Sequence, residues 1–423
     1  MRALRDAVVI TGAGVVSPLG HTGSALFSAL MAGESAVGPI DRFDASVFPC
    51  TVAAQVRDFK ARDWVSNRKN LKLMSDAVRF GLAAVRRARS DAGLDSNSVD
   101  PDRFGIFVGA GTALGRTEDL LPAVRAASTE TGFDPGRFAE EGMHAINPLW
   151  LLKGLSNNVL GFATADLDAR GINQNYCNSG VGGLQAIGEA AWAIAEGRAD
   201  VIIAGGADSA INPLHFTGFG RLRALTSGAG PDAVRPFDVR HDGFAPGEGA
   251  AFVVLERYEH ARARGARLLA RLVGYADRCG AHALGQGDAL IVERALATAI
   301  SRAHWTPDAV DLVYAHGNGT PKFDQIEAAA ISAVFGDGGP PVTSNKGQIG
   351  HAIAAAGPIS LVCALEAIGA GQIPATAQVD VLDPLCVGID VVRHQNRTCA
   401  VSRALVHAAG IGGQTTCIAL EFA

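Results

Sequence analysis

The chain lacks the marks of several broad protein classes. It has no long basic run, and 37 basic residues stand against 42 acidic ones for a formal net charge of −5. Nucleic-acid binding is therefore disfavoured, while a small basic docking patch for an acidic partner stays open. Its seven cysteines are scattered, odd in number and never at CxxC spacing. That argues against structural zinc and against a disulfide framework. No apolar stretch combines the length of a membrane span with freedom from turn signals. The opening MRALRDAVVITGAG has a basic flank, but its short apolar run leads straight into a strand and a turn. No signal peptide is expected, and the expected location is the cytoplasm. Tandem repeats, a low-complexity tail and a long charged linker are also missing.

Nucleotide loops are absent too. TGAG at 11–14 and AGGAD at 204–208 do not make a GxGxxG pattern with a following ribose-binding acid. In SNKGQ the lysine, Lys346, follows Asn345 and precedes Gly347, which is not the order of a phosphate loop. One histidine with nearby carboxylates, as around His316, is not a metal-ligand set.

What is present fits a soluble enzyme. The 423 residues suffice for a large core, and 48% are hydrophobic against 19% charged. Glycine is abundant, at 51 residues, so tight turns and close backbone contacts are expected. Buried-strand patterns such as AVVITGAG at 7–14, RFGIFVGAG at 103–111 and ADVIIAGGADS at 199–209 alternate with helical ones at 75–92 and 325–335. The alternation runs through both halves and predicts layered α/β packing, with a boundary near 255–262. The run HAIAAAGPISLVCALEAIGAG at 351–371 reads as helix with a glycine–proline interruption.

Four stretches can carry chemistry. In NQNYCNSGVGG, at 173–183, Cys177 ends a strand and precedes a long helix-forming run. A helix start placed just after the thiol favours thiolate, and the small residues let another molecule approach. A buried core thiol is the plain alternative. In YAHGNGTPKFDQIE, at 314–327, His316 leaves a strand for a glycine-bearing loop, and Asn318 and Thr320 can bond a polar ligand arm. Asp324 and Glu327 stand at a helix start, where they can cap it or pair with Lys346. In SNKGQIGHAIAAAG, at 344–357, His351 follows Lys346 across a glycine turn and enters a helix. Its imidazole can donate to a developing oxyanion, and Lys346 can tune the charge around the histidines; a helix cap with an exposed lysine is the bland option. In AGIGGQT, at 409–415, an amide near Ile411 can complete an oxyanion hole with that of Cys177, or the glycines can simply turn the chain.

The order of these four stretches resembles the β-ketoacyl synthase family of the thiolase-like fold. VVITGAGVVSPLG at 8–20, GRADVIIAGGADSAINP at 197–213 and RPFDVRHDGFAPGEGAAFVVLE at 235–256 add to it across nearly the whole chain. The nearest branch holds the KAS II-type enzymes and the ketosynthases of type II polyketide systems. The resemblance implies two similar halves, about 1–256 and 257–423, in five alternating α-β-α-β-α layers. It makes Cys177 the nucleophile, His316 and His351 the two histidines, Lys346 the lysine and Glu327 its acidic support. Asn318 and Thr320 fall at positions touching a phosphopantetheine arm. Thr112, Phe244 and Ile411 fall on the substrate side, Ile411 at a gate to the acyl pocket. No tightly bound cofactor is implied: the arm arrives on an acyl carrier protein. The implied reaction is decarboxylative condensation with malonyl carrier protein, in a homodimer or beside a chain-length-factor-like subunit.

This sequence departs from the family pattern around the nucleophile, where YCNSG replaces small residues. HGNGT puts Asn318 in place of a hydroxyl, AGIGG replaces two phenylalanines, and His241 stands where arginine or lysine is usual. A specialised synthase for an unusual acyl or polyene chain is the expectation. An acyltransferase or hydrolase, a non-elongating partner subunit and a carrier-binding scaffold remain alternatives; a KAS III-like enzyme or a thiolase fits less well.

Overall fold

The computed structural model describes residues 4–95, 98–111 and 117–423. Ten strands carry the fold. In chain order they are β1 Val8–Val16, β2 Phe104–Ala110, β3 Asn173–Tyr176, β4 Val201–Ser209 and β5 Glu248–Arg257. Then come β6 Ala270–Cys279, β7 Leu312–Tyr314, β8 Val342–Thr343, β9 Arg403–Ala409 and β10 Gln414–Phe422. Their lateral order is β8-β7-β9-β10-β6-β1-β5-β4-β2-β3.

That order hides a repeat. β3-β2-β4 pair in parallel and β4-β5-β1 antiparallel. β8-β7-β9 pair in parallel and β9-β10-β6 antiparallel. Each half thus runs third, second, fourth, fifth, first, although no sequence repeat announces it. Within the sheet, among the described residues, the halves join through the pairs Val9↔Arg271 and Ile10↔Ala270 of β1 and β6. β2 and β4 are buried almost end to end, as expected of parallel strands covered on both faces.

The five longest helices among the described residues dominate the other layers. They are α1 Asp76–Asp91, α2 Gly182–Ala195, α3 Ala289–Arg302, α4 Pro321–Phe335 and α5 Ala356–Ala370. α1 packs on β1, β5 and β4; α2 and α5 lie together between the halves; α3 packs on β6 and β10 and against α4. The layering is α-β-α-β-α. Glycines let the inner layer close. A Cβ on Gly183 would sit 2.2 Å from the Ala354 carbonyl oxygen, and one on Gly109 would sit 2.3 Å from the Gly183 nitrogen.

α5 differs from its expected form. Gly357 and Pro358 do not interrupt it; they occupy its first turn, where proline's missing N–H is not needed. The segment Ile353–Ala370 is long and apolar enough to cross a membrane, but 83% of it is buried within the protein. It is the central core helix, and each buried Leu, Ile or Val in it contributes about 1.5–3 kcal/mol.

Candidate active site

The chemistry-bearing residues stand at the carboxyl ends of parallel strands, where open α/β sheets bind ligands. β3 delivers Cys177. The helix does not start immediately after it, as the sequence predicted. A 3-10 turn at Ser179–Val181 comes first, and α2 begins at Gly182. The thiol is exposed, and its Sγ lies 3.7 Å from the Gly111 carbonyl oxygen beyond the end of β2. Asn178 Nδ2 donates to Gln185 (2.9 Å), and Gln185 Nε2 donates to Asp277 (2.9 Å). The turn is thereby tied to β6 in the other half.

β7 delivers His316, which is buried. Its Nδ1 accepts the Ala409 amide at 3.2 Å. Nδ1 is therefore bare, and a neutral ring carries its proton on Nε2. The His316 and Gly317 amides each donate to Glu327 at 2.7 Å, one to each carboxylate oxygen. The Asn318 and Gly319 amides donate to Asp324 Oδ1 at 3.1 and 3.2 Å. The two acids of α4 thus hold the loop's backbone; neither caps the helix nor makes an ion pair with Lys346.

Lys346 is buried, not an exposed cap, with 1% of its surface accessible. Its Nζ is 3.5 Å from the Ala315 carbonyl oxygen. Burial pulls its pKa down to about 8 although Glu327 and Asp324 oppose this. His351 lies between the short helix Lys346–Ile349 and the 3-10 turn Ile353–Ala355, ahead of α5 and not inside a helix. Its ring meets His316 edge-on at 5.1 Å between centroids, and Phe244 packs edge-on against it at 5.0 Å. Burial, then the nearby Lys346 charge, pushes His351 down to about 3 and His316 well below the ordinary histidine value. Both imidazoles are neutral near pH 7, so each offers an N–H without a cation's desolvation cost.

These side chains converge on a cavity of about 260 Å³. Its wall includes His316, His351, Asn318, Thr320, Phe244 and Ile411. Ser179, two residues after Cys177, brings the nucleophile turn to the same wall. A Cβ on Gly180 would lie 2.4 Å from the Ala409 carbonyl oxygen and 3.8 Å from His351 Cε1, so turn and histidine loops touch. Two buried atoms on the wall, Thr320 Oγ1 and His351 Nδ1, have no hydrogen-bond partner among the described residues. The Ile411 carbonyl oxygen accepts the Gly285 amide at 2.7 Å, which fixes the late glycine turn. Thr112 lies outside the described residues. Among the described residues no group of three His, Cys, Asp or Glu side chains can hold a metal ion.

Sequence reasoning missed His407 and understated Asp324. His407, buried on β9, bridges Glu327 through Nδ1 and Thr415 through Nε2 at 2.7 Å. A lone histidine in the apolar run RALVHAA was the available signal, since a buried imidazole needs partners. Burial raises the pKa of Glu327, but His407 and the two loop amides outweigh it and hold the carboxylate below its ordinary value. Glu327→Ala would strand two amides and an imidazole. A stability loss of about 3–5 kcal/mol is expected by urea denaturation; a loss under about 1 kcal/mol would show that the loop holds itself.

His241 is clamped between Asp324 (Nδ1, 3.1 Å) and Asp383 (Nε2, 2.9 Å). Burial alone lowers its pKa; the two carboxylates reverse that and raise it. The unfolded side chain titrates near about 6.5. The clamp's stabilisation is thus complete below that pH and fades as pH rises through the higher folded value. The stability gap between wild type and His241→Gln should be widest near pH 6 and shrink toward pH 9. A gap constant with pH would mean that the ring stays neutral.

Comparison with known proteins follows the same pattern. The family models described as the β-ketoacyl synthase N-terminal and C-terminal domains match residues 5–261 and 269–380. The 3-oxoacyl-[acyl-carrier-protein] synthase 2 of Coxiella burnetii is 35% identical over 420 residues, covering 98% of each chain. The ishigamide ketosynthase/chain length factor structure superposes with a TM-score of 0.88 at 29% identity, over 99% of this chain and 100% of that one. A type II polyketide acyl-carrier protein in complex with its hexaketide-bound ketosynthase gives 0.83 at 28% identity, with the same coverage.

Proposed function

The chain belongs to the β-ketoacyl synthase family, and from that premise we propose that it extends a carrier-bound acyl chain by decarboxylative condensation with malonyl carrier protein. It is a condensing enzyme of the ketoacyl-ACP synthase type, acting on acyl thioesters of fatty-acid or polyketide pathways. The proposal concerns the chemistry of its own residues and the chain that it accepts.

Cys177 attacks the acyl thioester. An S–C bond forms at Cys177, the bond to the pantetheine sulfur breaks, and that sulfur leaves as a thiol with the proton that Cys177 gave up. The malonyl carboxylate then leaves as carbon dioxide. Its electron pair passes to the α-carbon and, by resonance, to the thioester oxygen, where His316 Nε2–H and the His351 ring donate. The carbanion attacks the acyl-cysteine carbonyl, a C–C bond forms, and Cys177 leaves and regains a proton from solvent. Asn318 and Thr320 hold the arm; Phe244 and Ile411 shape the space beside it. Residues 1–256 bring the nucleophile and 257–423 the histidines and lysine.

The observation that carries this reading is one cavity walled by the turn after Cys177 and by two neutral imidazoles. A carrier protein supplies both thioesters in the cytoplasm. A second ketosynthase-like subunit covers β3, an edge strand of the sheet; Leu151, Leu152 and Leu155, which precede β3 in the chain, are exposed and offer it apolar surface. The departures at Asn178, Asn318 and Ile411 support a specialised chain. The test is intact mass after acyl carrier protein and then malonyl carrier protein. An adduct on Cys177 that gives way to a β-keto product two carbons longer is expected. An adduct that never extends would make the protein a transferase or hydrolase.

A further inference from the structure

Gly111 belongs to two places at once. Its carbonyl receives the Cys177 thiol contact at 3.7 Å, and the residue also lines a second, larger cavity of about 390 Å³. This cavity opens at the carboxyl ends of β2 and β4, one strand across from the nucleophile. Val78 and Ile211 give it apolar surface, as a hydrocarbon chain requires. The rest of its wall is unusual for a saturated chain.

Asp208, next to last in β4, stands on this wall with 4% of its surface accessible. It accepts the Ser209 amide at 2.8 Å and the Ala354 amide at 3.3 Å, which links it to the turn after His351. A Cβ on Gly111 would fall 1.9 Å from Asp208 Oδ2, so only glycine admits the carboxyl here. Arg42, Asp76, Ser156, Ser209 and Asn212 also face the cavity, but two further hydroxyls stand out because they are unpaired. Ser75 Oγ and Thr117 Oγ1 are buried atoms of the same wall, and neither has a hydrogen-bond partner among the described residues. Ser75 precedes α1 as its N-cap, where a serine hydroxyl ordinarily accepts a helix amide, yet it makes no such bond. Buried polar atoms in native proteins are nearly always paired, so two unpaired hydroxyls in one cavity point to something that binds them.

We propose that the acyl chain on Cys177 runs past Gly111 into this cavity, and that Ser75 and Thr117 select chains bearing keto or hydroxyl oxygen over saturated chains of equal length. This rests on the condensing reading above and names its substrate class. A hydroxyl donates to a ketone or accepts from an alcohol, so both oxygen classes fit. A methylene at the same point leaves the hydroxyls stranded, and a site built to hydrogen-bond rejects a partner that lacks the group. Burial pushes the Asp208 carboxyl up to about 7 against the pull of its two amides. A share of it is therefore protonated near neutrality and able to donate as well.

The test measures the rate of Cys177 acylation by intact mass. The probes are pantetheine thioesters of one chain length, either saturated or bearing a single keto or hydroxyl group at successive positions. Wild type should favour the best oxygenated chain by about tenfold, the scale of one or two net hydrogen bonds. The double variant Ser75→Ala, Thr117→Val should bring that ratio to within about twofold. Wild type that acylates saturated chains equally fast would overturn the proposal without any variant having to fold; so would a double variant that keeps the wild-type ratio. Selective acylation with no extension by malonyl carrier protein would sink condensation alone and uphold the selectivity. No acylation by any probe would overturn both.

Discussion

Cys177→Ala is expected to lower chain extension by about 10⁴-fold or more and to leave no acyl adduct on the protein. The size follows from its position. Cys177 is exposed and directly precedes the turn whose Ser179 walls the histidine cavity, while Cys50, Cys363, Cys386 and Cys417 are buried. Burial pushes the Cys363 thiol up to about 12 and Cys50 up to about 11, so neither can stand in as a thiolate near neutral pH. The variant should separate two half-reactions. In the proposed mechanism decarboxylation of the extender uses the imidazoles and not the thiol, so carbon dioxide release should persist in Cys177→Ala when product formation does not. Normal extension by this variant would remove the covalent step from the mechanism.

His316→Ala and His351→Ala should show the opposite split. Each should still take up some acyl group on Cys177, yet lose condensation by about 10²–10³-fold, the usual effect of deleting one donor to a developing oxyanion. The His316 variant also frees the Ala409 amide, which now donates to Nδ1, and so disturbs the late glycine turn. His351 carries no such backbone bond on Nδ1, so His351→Ala is the cleaner probe. Measuring the adduct by mass and the product by chromatography on the same samples separates the steps. Full product formation by either variant would contradict the assignment.

Much of the site was legible because its residues sit at junctions that composition marks. Cys177, His316 and His351 each leave a strand or turn among glycines, and few core residues need that setting. The alternation of strands and helices gave the layered fold for the same local reason. What was not legible depends on pairing between distant segments. Lys346 reads as a surface lysine until β7 and α4 close over it. His407 reads as a stray polar residue until Glu327, 80 positions away, meets it. The matching strand order of the two halves leaves no trace because sheet order is set by long-range pairing, not by local pattern. Pro358 reads as a break because local sequence does not show that α5 begins only at Ala356, which puts the proline in its first turn.

In the proposed reaction, loss of the extender carboxylate is coupled to carbon–carbon bond formation on Cys177. The direct measurement uses malonyl carrier protein labelled with carbon-13 at its free carboxylate, supplied to the acylated enzyme. Labelled carbon dioxide and a β-ketoacyl product two carbons longer should appear in equal amounts. Release of the original acyl group as free acid, with no labelled carbon dioxide, would contradict the account.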